Sequence, residues 1–497
     1  MALSDTRRNA LAYYANTVVL AVLGILINPV LLSSLGAANF GTWKSLQRAF
    51  DVGGAANGGA MQALKWVIAF RAKDPDVERK RRDVGASLIV LARWSPVLIG
   101  VSAVLVVMTP LLLNDVPQEQ VGPAYVTAGV LGLNVVLASV VALPDAALIG
   151  TNQGYRSMSV TTVVLTASNL AMLAAALSGA GIVALGFVML AGTGLNGAVT
   201  LWVARRKIPW WGVARASRQD VRELSRFSGW VLAWSLVDRA TLATELLLVG
   251  ILVGVVAAAS YSFTSYVVVF SIAICQLTTS VMMPPLGRHV GAGEWRLAAR
   301  TARRARELTI AVVGFVAGMN LLLNGAFVSI WAGREQFLGA DVNALMTLTF
   351  VQLALIRMDA QIQDTGLNIR RKVQVGALAS AAGVILACAA YLAMGTIWSI
   401  FLGLLIGRSV ASLIFPAQAN KVVRGGDWPW VRVILLMVAL VFAYLVGREV
   451  APDSWAALVL VGLGSLVLWG TVVTFIALSP RTLRDLFMRG GDHGKGD

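Results

Sequence analysis

The sequence has little charge and almost no cysteine or histidine. Only 13% of its 497 residues are Asp, Glu, Lys or Arg, whereas 57% are hydrophobic, and the mean hydropathy is +0.75. A soluble globular protein carries about twice that fraction of charge. Two cysteines and two histidines give no disulfide framework and no cluster with metal-ligand spacing. We therefore expect an all-α polytopic membrane protein without a metal site.

Long apolar runs account for most of the chain. A helix that crosses a bilayer needs about 20 apolar residues. We find fourteen such runs, near 9–35, 43–70, 84–113, 123–149, 157–178, 182–204, 226–250, 254–287, 308–331, 341–366, 374–394, 397–420, 431–447 and 456–478. The N-terminus shows no cleavable signal sequence, so the first run is expected to remain in the protein.

The positive charges alternate from one connecting segment to the next. With the N-terminus inside, 32 of the 41 Lys and Arg residues fall in predicted cytoplasmic segments and two, Arg334 and Arg448, in outer loops. This asymmetry predicts a multi-pass protein of the cytoplasmic membrane with both termini in the cytoplasm. The net charge of +16 then follows from the positive-inside rule and not from nucleic-acid binding. The basic loops Arg205–Arg226 and Arg288–Glu307 are predicted to be interfacial helices on the lipid headgroups.

The order of the runs predicts two repeats. Six runs in 1–204 form an N-terminal bundle, a basic cytoplasmic linker covers 205–225, and six more runs in 226–421 form a second bundle. Both bundles begin on the cytoplasmic side, which is typical of parallel repeats around a central cavity. Two additional helices at 422–478 are expected to face lipid, and 479–497 is a cytoplasmic tail.

Three charges follow one another along one face of the second predicted span. Lys44, Arg48 and Asp51 stand at i, i+4 and i+7. Charges at bilayer depth cost several kcal/mol each unless they meet a partner or a wet cavity, so this stripe predicts a helix that lines a polar cavity. A structural ion pair of Arg48 with Asp51 is the alternative, and it would leave Lys44 without a partner.

Other charges inside the predicted spans divide into two groups. Arg408 joins Lys44 and Arg48 as candidates to bind an anionic substrate, because Arg can fork onto phosphate oxygens. Glu245, Asp51 and Asp145 are candidate cavity carboxylates for ion coupling. The remaining charges are expected to tie helices together as an interhelical network of Asp238, Arg239, Arg357, Asp359 and Asp364.

Several segments together resemble the Wzx-type polysaccharide flippases. The motifs that carry the resemblance are Leu35-Gly36, Phe40-Gly41 as an aromatic-glycine turn, Asp51-Val52-Gly53, the run from Glu245 to Phe263, Pro284-Pro285, and the run from Phe327 to Phe337. Each motif is loose, but their order and their positions in the spans agree with that family.

This resemblance implies a fold, a substrate and a mechanism. The fold is that of the multidrug/oligosaccharidyl-lipid/polysaccharide exporter superfamily, shared with multidrug exporters and MurJ-type flippases. The substrate is a polyprenyl-pyrophosphate-linked oligosaccharide, such as an O-antigen, capsule or exopolysaccharide unit, moved to the outer leaflet by alternating access. The protein is then a transporter and not an enzyme, with no cofactor, and whether an H⁺ or Na⁺ gradient drives it stays open. Its partners are the substrate, membrane lipids and polysaccharide polymerase or assembly proteins.

Three alternatives remain. A cation-coupled multidrug or metabolite antiporter of the same fold would have an acidic, aromatic cavity, and the intramembrane tally of seven basic to six acidic residues is mildly against it. A membrane-embedded glycan polymerase or ligase would use a sizeable outer loop, and the predicted outer loops are short. A transport-silent scaffold for polysaccharide assembly predicts that the cavity charges can be neutralised without effect.

Overall fold

The computed structural model describes residues 5–71, 75–113, 117–366, 369–426, 428–450 and 452–479. These residues form α1 (Asp5–Gly53), α2 (Ala60–Phe70), α3 (Val77–Val107), α4 (Thr109–Leu112), α5 (Gln118–Gly150), α6 (Gly154–Leu177), α7 (Gly181–Lys207), α8 (Arg218–Leu252), α9 (Val255–Thr264), α10 (Tyr266–Gly291), α11 (Trp295–Ala332), α12 (Ala340–Asp364), α13 (Ile369–Met394), α14 (Ile397–Val422), α15 (Trp430–Glu449) and α16 (Trp455–Ala477). Two 3₁₀ turns lie at Gly54–Asn57 and Arg334–Gln336. No strand occurs in these ranges, which confirms the all-α class. The predicted tail at 479–497 lies almost wholly outside them.

The helices follow the predicted apolar runs in order. Within the described ranges, eleven of them are long and apolar enough to cross a membrane. One of the eleven, Leu11–Asn57, covers most of the first predicted run and the first part of the second, which continues into α2. The two parts meet at a bend of α1 at Gly36, whose φ of 76° is a conformation that glycine adopts without strain. The helices α8 and α10, which cover the predicted seventh and eighth runs, are not among the eleven. The protein is thus multi-pass, and fourteen spans remains an approximate count.

The chain divides into two compact units, Met1–Ala259 (unit 1) and Ser260–Asp497 (unit 2). In unit 1, α8 packs against α1, α2 and α3. The predicted second bundle, 226–421, begins on this same helix. These units are defined by packing between helices, and the boundaries of symmetric repeats need not coincide with them. The predicted repeat boundaries therefore remain a prediction.

The two basic loops do not form the separate interfacial helices that were predicted. In the first loop, α7 continues to Lys207, residues 208–217 form no helix, and α8 begins after the capping residue Ser217. In the second, α10 reaches Gly291 and α11 already begins at Trp295. The segment from Trp295 to Glu307 is rich in Ala and Arg, which are strong helix formers, and it continues directly into an apolar run.

Glycine allows a close backbone approach inside unit 1. A Cβ atom at position 41 would lie 1.7 Å from the carbonyl oxygen of Val255, so only glycine lets α1 touch the start of α9. The Phe40-Gly41 pair was predicted to form a turn. It is helical instead, with the Phe40 side chain fully buried.

In unit 2, α11 is packed by α10, α12, α15 and α16. The indole of Trp469 on α16 donates hydrogen bonds to the carbonyl oxygens of Gly314, at 3.0 Å, and Phe315, at 3.1 Å. A Cβ at Gly318 would lie 1.8 Å from the Trp469 ring. The spacing of Gly314 and Gly318 is the small-residue pattern that membrane helices use for close packing. Other side chains of α16, such as Leu468, are apolar and exposed.

We predict that Gly318→Val loosens α16, because the added methyl groups collide with the Trp469 ring. Overpacking of this kind costs about 1–3 kcal/mol. The effect is measured as a lower melting temperature in detergent and faster proteolysis after α15. The matched control is Gly464→Val on α16, where a Cβ meets nothing within 4 Å. Equal stability of the two variants would contradict this packing.

Candidate functional site

Lys44 lies just beyond the bend of α1. Its Nζ donates a hydrogen bond to Asn28 Oδ1 at 3.2 Å, across the bend at Gly36, and lies 5.2 Å from the ring centroid of Phe40. Sequence reasoning missed Asn28 as a partner, because only the bend brings a residue 16 positions away into contact. Both partners are neutral, so these contacts hold the ammonium group without cancelling its charge.

Arg48 and Asp51 form the pair that the sequence left as an alternative, but the pair is weak. Arg48 Nη1 lies 3.9 Å from Asp51 Oδ2, and the two side chains are 38% and 59% exposed. Exposed pairs of this length contribute between nothing and about 1 kcal/mol. Arg239 on α8 adds a third contact, because its Nη1 donates to the backbone oxygen of Asp51 at 3.1 Å. Unit 1 therefore brings Arg48 and Arg239 together around one carboxylate-bearing residue.

A second cluster in unit 1 contains Asp145. Its Oδ2 lies 3.5 Å from Lys65 Nζ, and Ser157 Oγ donates a hydrogen bond to its Oδ1. The cluster links α2, α5 and α6. Lys65 was expected to extend from a helix end toward the headgroups, and its pairing with a residue 80 positions later carries no local sequence signal. Glu245 and Asp238, the other predicted residues of this unit, are half-buried on α8.

Unit 2 contains a buried ion pair of which only one member, Asp359, was among the predicted residues. Asp359 on α12 accepts hydrogen bonds at Oδ1 from Arg306 Nε, at 3.0 Å, and Arg306 Nη2, at 2.8 Å. The indole nitrogen of Trp428 donates to Asp359 Oδ2 at 2.7 Å, and Arg306 Nη1 donates to Asn420 at 2.7 Å. The Arg306 and Asp359 side chains are 0% and 1% exposed. Sequence reasoning missed Arg306 because it assigned this residue to an interfacial helix on the headgroups and not to the start of a packed helix.

Glu307, the next residue on α11, is buried beside this pair. Its Oε1 lies 3.3 Å from Arg303 Nε and 3.9 Å from Arg432 Nε. Its Oε2 accepts a hydrogen bond from Ser479 Oγ at 3.0 Å. Arg432 belongs to α15 and Ser479 follows α16, so Glu307 ties both additional helices to α11.

Three other predicted residues lie in unit 2. Asp364 at the end of α12 pairs with Lys372 of α13. Arg357 and Arg408 are buried on α12 and α14. Arg408 is thus in unit 2, whereas Lys44 and Arg48 are in unit 1. Among the described residues, no three His, Cys, Asp or Glu side chains are arranged to hold a metal ion.

Comparison with known proteins identifies both a family match and a fold. Residues 94–324 match the family model described as polysaccharide biosynthesis protein. The solved structure of the lipid II flippase MurJ, in an inward closed conformation, is 12% identical with a TM-score of 0.67, covering 96% of this chain and 99% of that one. The MATE multidrug transporter DinF-BH is 11% identical with a TM-score of 0.62, covering 85% and 96%. The Vibrio cholerae transporter VcmN is 15% identical with a TM-score of 0.56, covering 84% and 97%.

No curated protein sequence matches this chain with significance. At these identities the structural matches establish the fold alone, which is that of MurJ and the MATE transporters. The fold and the match to the polysaccharide biosynthesis model agree with the predicted resemblance. The eleven long apolar helices agree with a multi-pass membrane protein.

We predict that Asp359→Ala and Arg306→Ala each lower stability by about 3–5 kcal/mol, because each leaves an uncompensated buried charge. The double change Arg306→Met with Asp359→Leu is expected to recover most of that loss, since it removes both charges. The readout is the melting temperature of the purified protein in detergent. Arg296→Ala is the matched control, because this arginine is exposed on the same helix. An Asp359→Ala variant with the same melting temperature as Arg296→Ala would contradict this contribution of the pair to stability.

Proposed function

We propose that this protein moves a polyprenyl-pyrophosphate-linked oligosaccharide from the inner to the outer leaflet of the cytoplasmic membrane by alternating access. The observation that carries the proposal is the set of cations on membrane helices of unit 1. Lys44 contacts neutral partners. Arg48 lies 3.9 Å from the carboxylate of Asp51, and Arg239 donates a hydrogen bond to the backbone oxygen of Asp51 at 3.1 Å. The family match and the fold support the same substrate class.

The chemistry of the substrate requires such a set. A pyrophosphate and sugar hydroxyls cannot enter hydrocarbon, because they would lose their water without replacement. Cations at bilayer depth supply that replacement for the pyrophosphate. Arg forms paired hydrogen bonds with phosphate oxygens, whereas Lys supplies a point charge.

We assign the roles from the strength of the existing contacts. The ion pair of Arg48 with Asp51 is long, at 3.9 Å, so a pyrophosphate oxygen that approaches more closely can replace Asp51 as the partner of Arg48. Lys44 lies one helical turn before Arg48 and contacts Asn28, so it is positioned to share the same anion. Arg239 stays anchored through the backbone oxygen of Asp51, which a substrate does not displace.

The lipid tail needs an apolar path. In unit 2 a crevice of about 270 Å³ lies between α12, α14 and α15. Apolar and aromatic side chains form most of its lining, and Gln352, Ser412 and Asp359 also contribute. The predominantly apolar lining suits an isoprenoid chain. The proposal assigns the tail to such apolar surfaces and the headgroup to the cations.

Ion coupling is a further part of the proposal. Asp51 is released when Arg48 turns to the substrate, and a released carboxylate inside the membrane tends to take up a proton or Na⁺. Glu245, on the same helix as Arg239, is the second candidate for this step. Asp145 is less suited, because Lys65 and Ser157 already hold it.

We predict that Lys44→Ala with Arg48→Ala lowers the rate of translocation on the order of 100-fold, from the loss of two charge-assisted contacts. The assay uses proteoliposomes that contain a polyprenyl-linked oligosaccharide and follows its exposure to an impermeant glycosidase. Protein level and melting temperature in the same membranes show that the variant is folded.

Arg93→Ala is the matched control, since Arg93 is an exposed cation on α3 outside both clusters of unit 1. It is expected to translocate at the normal rate. Normal translocation by the Lys44 and Arg48 double variant would remove these residues from the mechanism. Absence of any translocation together with gradient-driven efflux of an organic dye would instead favour the antiporter of the same fold.

A further inference from the structure

Unit 1 has a second cationic feature, separate from the clusters around Asp51 and Asp145. The segment 208–217, which joins α7 to α8, lies beside the start of α3. Between them is an open pocket of about 480 Å³, lined by Arg82, Arg215, Ala216, Ser217 and Asp220. The roles assigned above to the transported substrate use none of these residues.

The wall of the pocket is held by specific contacts. The backbone N–H of Ala214 donates to the carbonyl oxygen of Arg81 at 3.1 Å. In return, Arg81 Nε donates to the carbonyl oxygen of Trp210 at 3.0 Å. A Cβ at Gly85 would lie 2.1 Å from the Ala214 oxygen, so the segment lies directly on α3. The position of Arg215 relative to Arg82 is thereby determined by the backbone.

The two arginines have room for another anion. Arg82 lies 3.7 Å from Asp76 and 4.0 Å from Asp220, with its side chain 35% exposed, and Arg215 is exposed. Asp220 is already engaged, because the Ser217 N–H and Oγ donate to its carboxylate at 2.8 and 2.7 Å. These hydrogen bonds hold the pKa of Asp220 below its usual range.

Tryptophans near the pocket indicate its position relative to the lipid headgroups. Trp210 and Trp211 are half-buried, and both pack against the hydrophobic core of unit 1. On α7, the guanidinium of Arg206 lies 4.1 Å from the ring centroid of Trp202. Tryptophan with neighbouring arginine is typical of the boundary between hydrocarbon and headgroups. The positive-inside pattern predicts that this boundary belongs to the cytoplasmic leaflet.

We propose that this pocket binds the phosphate of an anionic phospholipid headgroup, with Arg82 and Arg215 as its donors. Inorganic phosphate offers the same oxygens but lacks acyl chains that can lie beside the tryptophans. A lipid bound here joins the segment 208–217 to α3. It anchors the connection between α7 and α8 to the leaflet.

The test is native mass spectrometry of the full-length protein in detergent, titrated with dioleoyl-phosphatidylglycerol and, in parallel, with dioleoyl-phosphatidylcholine. We expect the anionic lipid to bind preferentially. Arg82→Gln and Arg215→Gln are each expected to weaken its binding about fivefold, and the pair about 30-fold, as expected for one surface charge each. Arg215→Lys is expected to retain most of the affinity, since it keeps the charge.

Arg226→Gln is the matched control, because it removes one exposed charge from the same basic region without touching the pocket. Equal weakening by Arg226→Gln would mean diffuse attraction and would overturn the site. So would equal binding of the two lipids. Binding of inorganic phosphate in place of the lipid would assign the pocket to a free anion. If the double variant unfolds, the single change at exposed Arg215 decides.

Discussion

The cost of holding charge away from water organises this membrane protein. A charged side chain that is held away from water needs a partner, and the described helices supply partners of very different quality. Arg306 and Asp359 make short contacts at 0% and 1% exposure, with Trp428 and Asn420 satisfying the remaining groups. Those partners lie on different elements of unit 2. The contacts that neutralise the buried charges therefore also hold these elements together.

Lys44 and Arg48 in unit 1 are held differently. Lys44 has an amide and an aromatic ring as partners, and Arg48 has a carboxylate at 3.9 Å. These contacts are longer, or made to neutral groups, and the side chains of Arg48 and Asp51 are far more exposed than those of Arg306 and Asp359. A tightly paired arginine such as Arg306 would serve poorly as a binding group, because a substrate would first have to break a buried ion pair.

Local pattern predicted the helices and their order, because apolar length and charge alternation act within one segment. It also predicted the stripe of Lys44, Arg48 and Asp51 on one helix face. It did not predict the pairs of Lys65 with Asp145 or Arg306 with Asp359, since these depend on tertiary packing across 50 or more positions. Arg306 was misplaced for a further reason. A separate interfacial helix and the first turns of a longer helix have similar compositions. The structure shows that Arg306 belongs to the first turns of α11.

The wedge of Trp469 against Gly314 and Gly318 has a consequence for synthesis. Trp469 and Gly314 are 155 residues apart. Protein synthesis proceeds at about 5–20 residues per second, so Trp469 is added roughly 8–30 s after Gly314. The glycine face of α11 is not packed by Trp469 during that time. During that interval the nascent helix presents a notch that other small-residue helices or lipids can occupy. The helix α16, which is synthesised after α11, thus completes the packing of α11.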